Sequence, residues 1–193
     1  KKVDQHLLQL AFIASDNNAT ISGGNFGGNV TDADCKTNAE SMIASIFEAI
    51  QKLDENDVPS SDRYIVTTPD IYYQLCNVDK LVSRDFSSNN GDFGKGTVVS
   101  IGGVPVVKSN TAVSAFTDQS GASTTGQNNT YTGDFQHCGA MVFHKSAVGT
   151  VKLKDLVMES TYDPRRLGTL MTARLALGSN YLRPESAVRI IAQ

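Results

Sequence analysis

The sequence has no cysteine pair at metal or redox spacing. Its three cysteines, Cys35, Cys76 and Cys138, are odd in number and form no C-x-x-C motif. That fits buried thiols in a reducing compartment better than a disulfide framework. No apolar run approaches the ~20 residues needed to cross a bilayer, so no membrane partner is expected. The first residues do not read as a secretory signal either. Without secretion, the glycosylation patterns at Asn18-Ala19-Thr20 and Asn29-Val30-Thr31 carry no meaning. An excess of basic charge is missing too. The net charge of −3 and the pI near 5.6 argue against a dedicated nucleic-acid binder.

A complete catalytic motif is also lacking. Gly91-Asp92-Phe93-Gly94-Lys95-Gly96-Thr97 faintly resembles a phosphate loop, but that pattern needs Ser or Thr directly after the lysine, and Gly96 intervenes. Gly121-Ala122-Ser123 is no nucleophile elbow, because position 125 is Thr. His137 and His144 are an odd number of residues apart, so on a strand they point to opposite faces roughly 23 Å apart and cannot share an ion. Asp54-Glu55 sits at a helix end and needs only solvent. No catalytic residue, cofactor or metal site is expected.

What is present is a chain of 193 residues, enough for one domain or two small ones with a sizeable core. Apolar residues make up 40% and charged residues 19%, ordinary for a globular protein. Residues 1 to 14 read as a helix with an apolar stripe of Val3, Leu7, Leu10 and Ala11, flanked by Leu8 and Phe12. Nothing caps its start, so it reads as the end of a longer helix in a longer protein. Residues 15 to 34 read as a loop rich in Asn, Gly and Ser. Thr37-Asn38-Ala39-Glu40 reads as a capping box with Thr37 as the cap. It opens a helix expected to bury Met42, Ile43, Ile46, Phe47, Ala49, Ile50 and Leu53, ending before Val58-Pro59. Tyr64 to Thr67 is a short strand, and Thr68-Pro69 opens a second helix through Leu75. Thr97 to Lys108 is a hairpin turned at Gly102-Gly103, with Pro105 on an edge or a bulge. Residues 111 to 134 read as a long, mobile surface loop, and Ala140 to Phe143 as a strand. There is no internal repeat. The fold class is α+β.

The closing section differs in charge. Residues 145–193 carry +4 and residues 1–144 carry −7. This asymmetry suits complementary neighbours as well as it suits an ordinary solvated surface. Within the section, Met171, Ala173, Leu175 and Leu177 alternate like a strand. Leu167, Leu170, Met171, Arg174 and Leu175 also have helical spacing after the helix-start pair Asp163-Pro164, so pattern alone leaves both open. The turn around Glu159, Asp163, Arg165 and Arg166 carries both signs of charge. It reads as a solvated tip, or as arginine forks that bind carboxylates of a neighbouring subunit.

Four segments in order carry a resemblance. SAVGTVKLKDL (Ser146 to Leu156), GSNYLRPESA (Gly178 to Ala187), LDENDVPSSDR (Leu53 to Arg63) and IGGVPVV (Ile101 to Val107) resemble the major capsid proteins of short-tailed phages of the T-odd, autographivirus type. Arg174 to Leu177, followed by Tyr181 and Arg183 to Glu185, is similar to the wider tailed-phage shell family with the Hong Kong 97-type fold. The resemblance covers most of residues 36 to 193. It implies strands for the closing section. It also implies residues 1–15 as the end of a spine helix in a peripheral domain, residues 16–144 as an axial domain, and residues 145–193 as peripheral strands, with an N-terminal arm and an extended loop missing. The implied function is structural: pentamers and hexamers closing an icosahedral shell around double-stranded DNA, made in the host bacterial cytoplasm and ending in the virion. The implied partners are other copies of the chain, scaffolding and portal proteins, and weakly held DNA. The tip with Glu159, Asp163, Arg165 and Arg166 then lies where three capsomers meet. An encapsulin-like compartment shell shares the fold but packages enzymes. A small intracellular α+β enzyme is the remaining alternative.

Overall fold

The computed structural model describes residues 2–15, 27–78, 81, 91–92, 97–98, 100–115, 135 and 137–192. Four helices appear among them: α1 (Lys2–Ala14), α2 (Ala39–Glu55), α3 (Pro69–Leu75) and α4 (Asn110–Ala115). The strands are β1 (Asn29–Thr31), β2 (Arg63–Thr67), β3 (Gly91–Asp92), β4 (Thr97–Val98), β5 (Ser100–Ile101), β6 (Val104–Lys108), β7 (Cys138–His144), β8 (Val148–Asp163), β9 (Gly168–Tyr181) and β10 (Ala187–Ile191). Helices and strands mix as an α+β fold.

A six-stranded sheet in the order β1-β10-β7-β2-β6-β5 forms the centre. β1 runs parallel to β10 and β2 parallel to β6; the other pairings are antiparallel. Both faces are covered, and strand alternation divides the residues between them. Ile65, Ala140, Val142, Val188 and Ile190 meet Met42, Ile46, Ala49 and Leu53 of α2 and Ile71, Tyr72 and Leu75 of α3. Val66 and Met141 face the other way, joined by Cys138 past the register shift at Ile190/Ile191, onto Ala11 and Phe12 of α1, Ala112 of α4 and Phe135. Phe12 and Phe135 meet edge to face at 4.9 Å, a geometry that suits the ring quadrupoles. All three cysteines are buried and free. Burial pushes each thiol's pKa up, which keeps it protonated and inert.

Local chemistry sets the element ends. The cap of α2 is Asn38, not Thr37: Asn38 Oδ1 accepts from Glu40 N at 3.0 Å, while Thr37 Oγ1 donates back to Asp34 O at 3.3 Å. The two side chains compete for the same role, and the amide sits one residue nearer the helix. Glu40 in the first turn and Lys52 in the last suit the helix dipole. Phe47, expected in the core, is 51% exposed; Ser45 takes an inward position and donates to Asp32 Oδ2 at 2.8 Å. Pro69 opens α3 after an extended Thr68. At the β5–β6 turn Gly102 and Gly103 both have positive φ, 58° and 79°, which is cheap for glycine.

Several expectations shift. Residues 29–31 of the expected loop form β1. Gly27 precedes it so closely packed that a Cβ there would lie 1.5 Å from Ala187 O. Residues 97–98 pair with β3 rather than extending the hairpin, which is confined to residues 100–108. Pro105 pairs with Ser100, just before β6 joins β2 at Val106, so its missing N–H costs the ladder nothing. Residues 110–115 are helical; the rest of the expected mobile loop, 116–134, lies outside the described residues. The phosphate-loop-like residues 93–96 and the Gly121 segment also lie outside them. The inward side of α1 is rotated from the expected stripe: Leu10, Ala11, Phe12 and Ala14 are buried, and Val3 is exposed. Asp54 does more than meet solvent. It pairs at 2.7 Å with Arg63, whose buried guanidinium also donates to Pro59 O at 2.9 Å and to Val58 O.

Candidate assembly surface

Apart from Val148 and Tyr181 at their root, the two longest strands lie outside the layered core formed by the described residues. β8 and β9 form a two-stranded antiparallel ribbon from Val148↔Tyr181 to Asp163↔Gly168, roughly 45 Å long at ~3.4 Å per residue. The register slips between Lys152 and Lys154 and again between Lys154 and Val157. These bulges place extra residues on β8, where they raise the local twist. The strand reading of 168–181 holds, although neither side of the ribbon's outer part is buried.

Cross-strand partners share a face. On one face lie Met158, Ser160 and Tyr162 with Ala173, Met171 and Thr169 opposite them. On the other lie Val157, Glu159, Thr161 and Asp163, facing Arg174, Thr172, Leu170 and Gly168. Large apolar side chains are exposed on both: Met171 is 71% exposed, Leu170 60%, and Leu153 in the bulged stretch 81%. A two-stranded ribbon alone is marginal in water, and an exposed apolar surface of this extent marks an interaction site. The sequence reading gave alternation in β9, with Met171, Ala173, Leu175 and Leu177 on one face, and did not foresee apolar side chains exposed on both faces. The available signal was β8 itself, VGTVKLKDLVMES, whose apolar residues follow no single period.

The four tip residues are not gathered at one point. The turn proper is Pro164–Leu167, with Leu167 in the left-handed region at φ 48°. Asp163 shapes it: its Oδ1 accepts from Arg165 N at 3.0 Å, and its carbonyl accepts from Arg166 N at 3.3 Å. The guanidinium groups of Arg165 and Arg166 stand exposed beyond it. Glu159 sits back along β8 and binds within its own chain, accepting from Arg174 at 2.9 Å. The tip therefore presents two cations, and Glu159 serves the ribbon's own cross-strand pairing.

At its root the ribbon is held by two 3-10 turns, Lys145–Ala147 and Pro184–Ser186. Lys145 pairs with Asp62, whose carboxyl is held below its ordinary pKa by that bond, while Lys145 is raised. Arg183 pairs with Glu185 at 2.6 Å. A mostly apolar cavity of about 380 Å³ lies beside the root, between Leu7 and Leu8 of α1, Val66, Phe143 and Val148. Among the described residues no cluster of three His, Cys, Asp or Glu could hold a metal ion. No described helix is long and apolar enough to cross a membrane.

Comparison with known proteins agrees with this architecture. The chain is 30% identical over 161 residues to the major capsid protein of Enterobacteria phage T3, covering 79% of this chain and 46% of that protein. It thus spans about half the length of the curated relatives it matches. The capsid structure of cyanophage P-SCSP1u superposes with a TM-score of 0.86 at 29% identity, covering all of this chain and 62% of that one. The mature capsid of bacteriophage PhiM1 superposes at 0.76 with 23% identity, over 98% of this chain and 60% of that one, which speaks to fold alone. These neighbours carry the tailed-phage shell fold, as the sequence motifs implied. The family model described as Gp10A-like, major capsid protein, matches residues 1–191, and the chain belongs to that family of structural, non-enzymatic shell proteins.

Proposed function

We propose that this chain is the shell-building part of a phage-head subunit, many copies of which form pentamers and hexamers that close an icosahedral head around double-stranded DNA. The observation that carries the proposal is the ribbon. Its two apolar, exposed faces have no use in an isolated chain, and neighbouring copies would cover them. The α/β/α layers of the centre would serve as a rigid body on which the ribbon is mounted. In this reading residues 16–144 form an axial domain, while residues 1–15 and 145–193 form a peripheral one. β10 crosses that line, since it lies between β1 and β7 in the central sheet, and would lock the two parts together. The partners are copies of the chain itself, with scaffolding and portal proteins during assembly and weak, non-specific contact with packaged DNA. The protein's place is then the virion.

The tip enters as a contact between subunits through Arg165 and Arg166, with Asp163 shaping the turn and Glu159 bracing the ribbon behind it. The test is electron microscopy of the protein with its full natural sequence, wild type beside Arg165→Glu/Arg166→Glu. Wild type is expected to give closed shells holding DNA. The double variant is expected to fold yet fail to close them, because reversed charges meet carboxylates. Normal shells from the variant remove the tip from the interface. Particles holding packaged protein instead of DNA would point to a compartment shell.

A further inference from the structure

The chain enters and leaves the ribbon at one joint, and a histidine closes it. β7 ends at His144, directly opposite Arg63 of β2 in register. His144 is buried and caps the first 3-10 turn: its Nδ1 accepts from Ser146 N at 3.2 Å. Accepting at Nδ1 places the neutral ring's proton on Nε2. Ser146 Oγ lies 2.7 Å from Nδ1 and 3.1 Å from Ser186 Oγ. The hydroxyls therefore run in series, Ser186 donating to Ser146 and Ser146 to His144. Ser186 belongs to the second 3-10 turn, where the chain leaves the ribbon for β10. Alongside, Leu182 N donates to Ala147 O at 2.9 Å.

We propose that His144 is a proton-sensitive clasp: neutral, it holds the two turns at the ribbon's root together, and protonated, it releases them. Protonation converts Nδ1 from acceptor to donor. The Ser146 hydroxyl can turn to accept from it, but the Ser146 N–H cannot, and that amide then faces a second donor without a partner. The surroundings oppose the added charge. Arg63 of β2, Lys145 of the first turn and Arg183 before the second turn all bear on the ring as cations. Asp62 opposes them but is engaged by Lys145, Arg183 is partly neutralised by Glu185, and Asp4 of α1 lines the adjoining cavity. Burial, followed by the three cations, lowers the imidazole's pKa below its ordinary 6.5 against the pull of Asp62. A lowered pKa in the folded state means the clasp's contribution is complete above the unfolded value and is lost as pH falls through the folded one. Asp62 is held low by Lys145 and stays ionised through that window. The proposal concerns the inside of one chain and does not rest on shell assembly.

Amide exchange at Ser146 and Leu182 tests it. Exchange is corrected for its intrinsic pH dependence and followed from about pH 7.5 to about pH 4.5, the span of ordinary imidazole titration. In the wild-type chain, protection at both amides is expected to fall about fivefold across the range, the scale of a lost helix-turn cap. In His144→Asn, whose side-chain oxygen accepts without titrating, protection is expected to stay level. Level protection in wild type, or a parallel fall in His144→Asn, overturns the proposal. Ser186→Ala gives a second arm that leaves the cap in place. It is expected to lower Leu182 protection already at the upper pH while Ser146 still titrates. Unchanged Leu182 protection in Ser186→Ala would show that the hydroxyl series does not join the turns.

Discussion

The central sheet and the ribbon are built from similar residues and reach opposite states. Ile65 in β2 and Met141 in β7 are fully buried; Met171 and Leu153 on the ribbon are mostly in water. The difference is what lies beside the strands. Helices cover both faces of the sheet, so each apolar side chain leaves water as the chain folds. Beyond its root, where Val148 and Tyr181 pack on the core, no other described element covers the ribbon, and its side chains stay exposed to water. Burial in the sheet stabilises the single chain; in the proposed function, burial on the ribbon would come only with association. A substitution should therefore be felt at different stages in the two regions.

The largest expected effect separates them most sharply. Ile65→Ala should cost the isolated chain about 3 kcal/mol, from lost transfer free energy and the cavity left behind. Met171→Ala, a removal of similar size, should stay within about 0.5 kcal/mol in the same chain, because its side chain is already hydrated. Urea unfolding of both variants makes the comparison. Equal losses would mean that the ribbon is packed in solution and that the contrast drawn above is wrong.

Next comes the turn that carries Asp54 to Arg63. Arg63→Ala should cost about 2 kcal/mol, because the carbonyls of Val58 and Pro59 lose a buried donor and Asp54 loses its cation. Much of the Asp54 loss is offset by solvent, since its carboxylate is well exposed. A cost as small as that of Asp54→Ala would show that the carbonyl bonds contribute nothing. Smaller again is Asn38→Ala, expected to lower stability by about 1 kcal/mol through loss of the α2 cap. Thr37→Ala should do much less, and a reversed order would restore Thr37 as the cap.

How far the sequence was legible follows the same division. Where local chemistry decides, the reading was close. Thr68-Pro69 opened α3, Gly102-Gly103 turned its hairpin, and the α2 core positions Met42, Ile46, Ala49 and Leu53 were all found. Where two polar neighbours compete, as Thr37 and Asn38 do, the sequence reading chose Thr37 and the structure places Asn38 at the cap. Where the answer depends on a distant partner, it failed. Nothing local to Asp54 announces Arg63, and nothing in residues 29–31 announces pairing with residues 189–191. For the ribbon, periodicity left helix and strand open, and the family resemblance settled it. Glu159 was grouped with Arg165 and Arg166 by nearness in sequence, yet cross-strand geometry gives it Arg174, 15 positions away.

That pair supplies the smallest expected effect. Glu159 and Arg174 both remain more than half exposed while they bond at 2.9 Å. An exposed pair gains modest Coulomb energy in a high dielectric and spends side-chain entropy to hold its geometry. It also sits diagonally on a ribbon face, where cross-strand pairs contribute a few tenths of a kcal/mol. A double-mutant cycle of Glu159→Gln and Arg174→Gln in the isolated chain should therefore give a coupling of about 0.5 kcal/mol, shrinking toward zero near 1 M salt as the Debye length falls to about 3 Å. If neighbouring copies cover this face, the assembled protein should behave differently. Covering excludes water and salt from the pair, so the same cycle read from shell disassembly should give a larger coupling that salt barely changes. Identical, salt-sensitive couplings in both forms would place this face of the ribbon in solvent after assembly, and would leave the opposite face, with Met158, Tyr162 and Met171, as the one that associates.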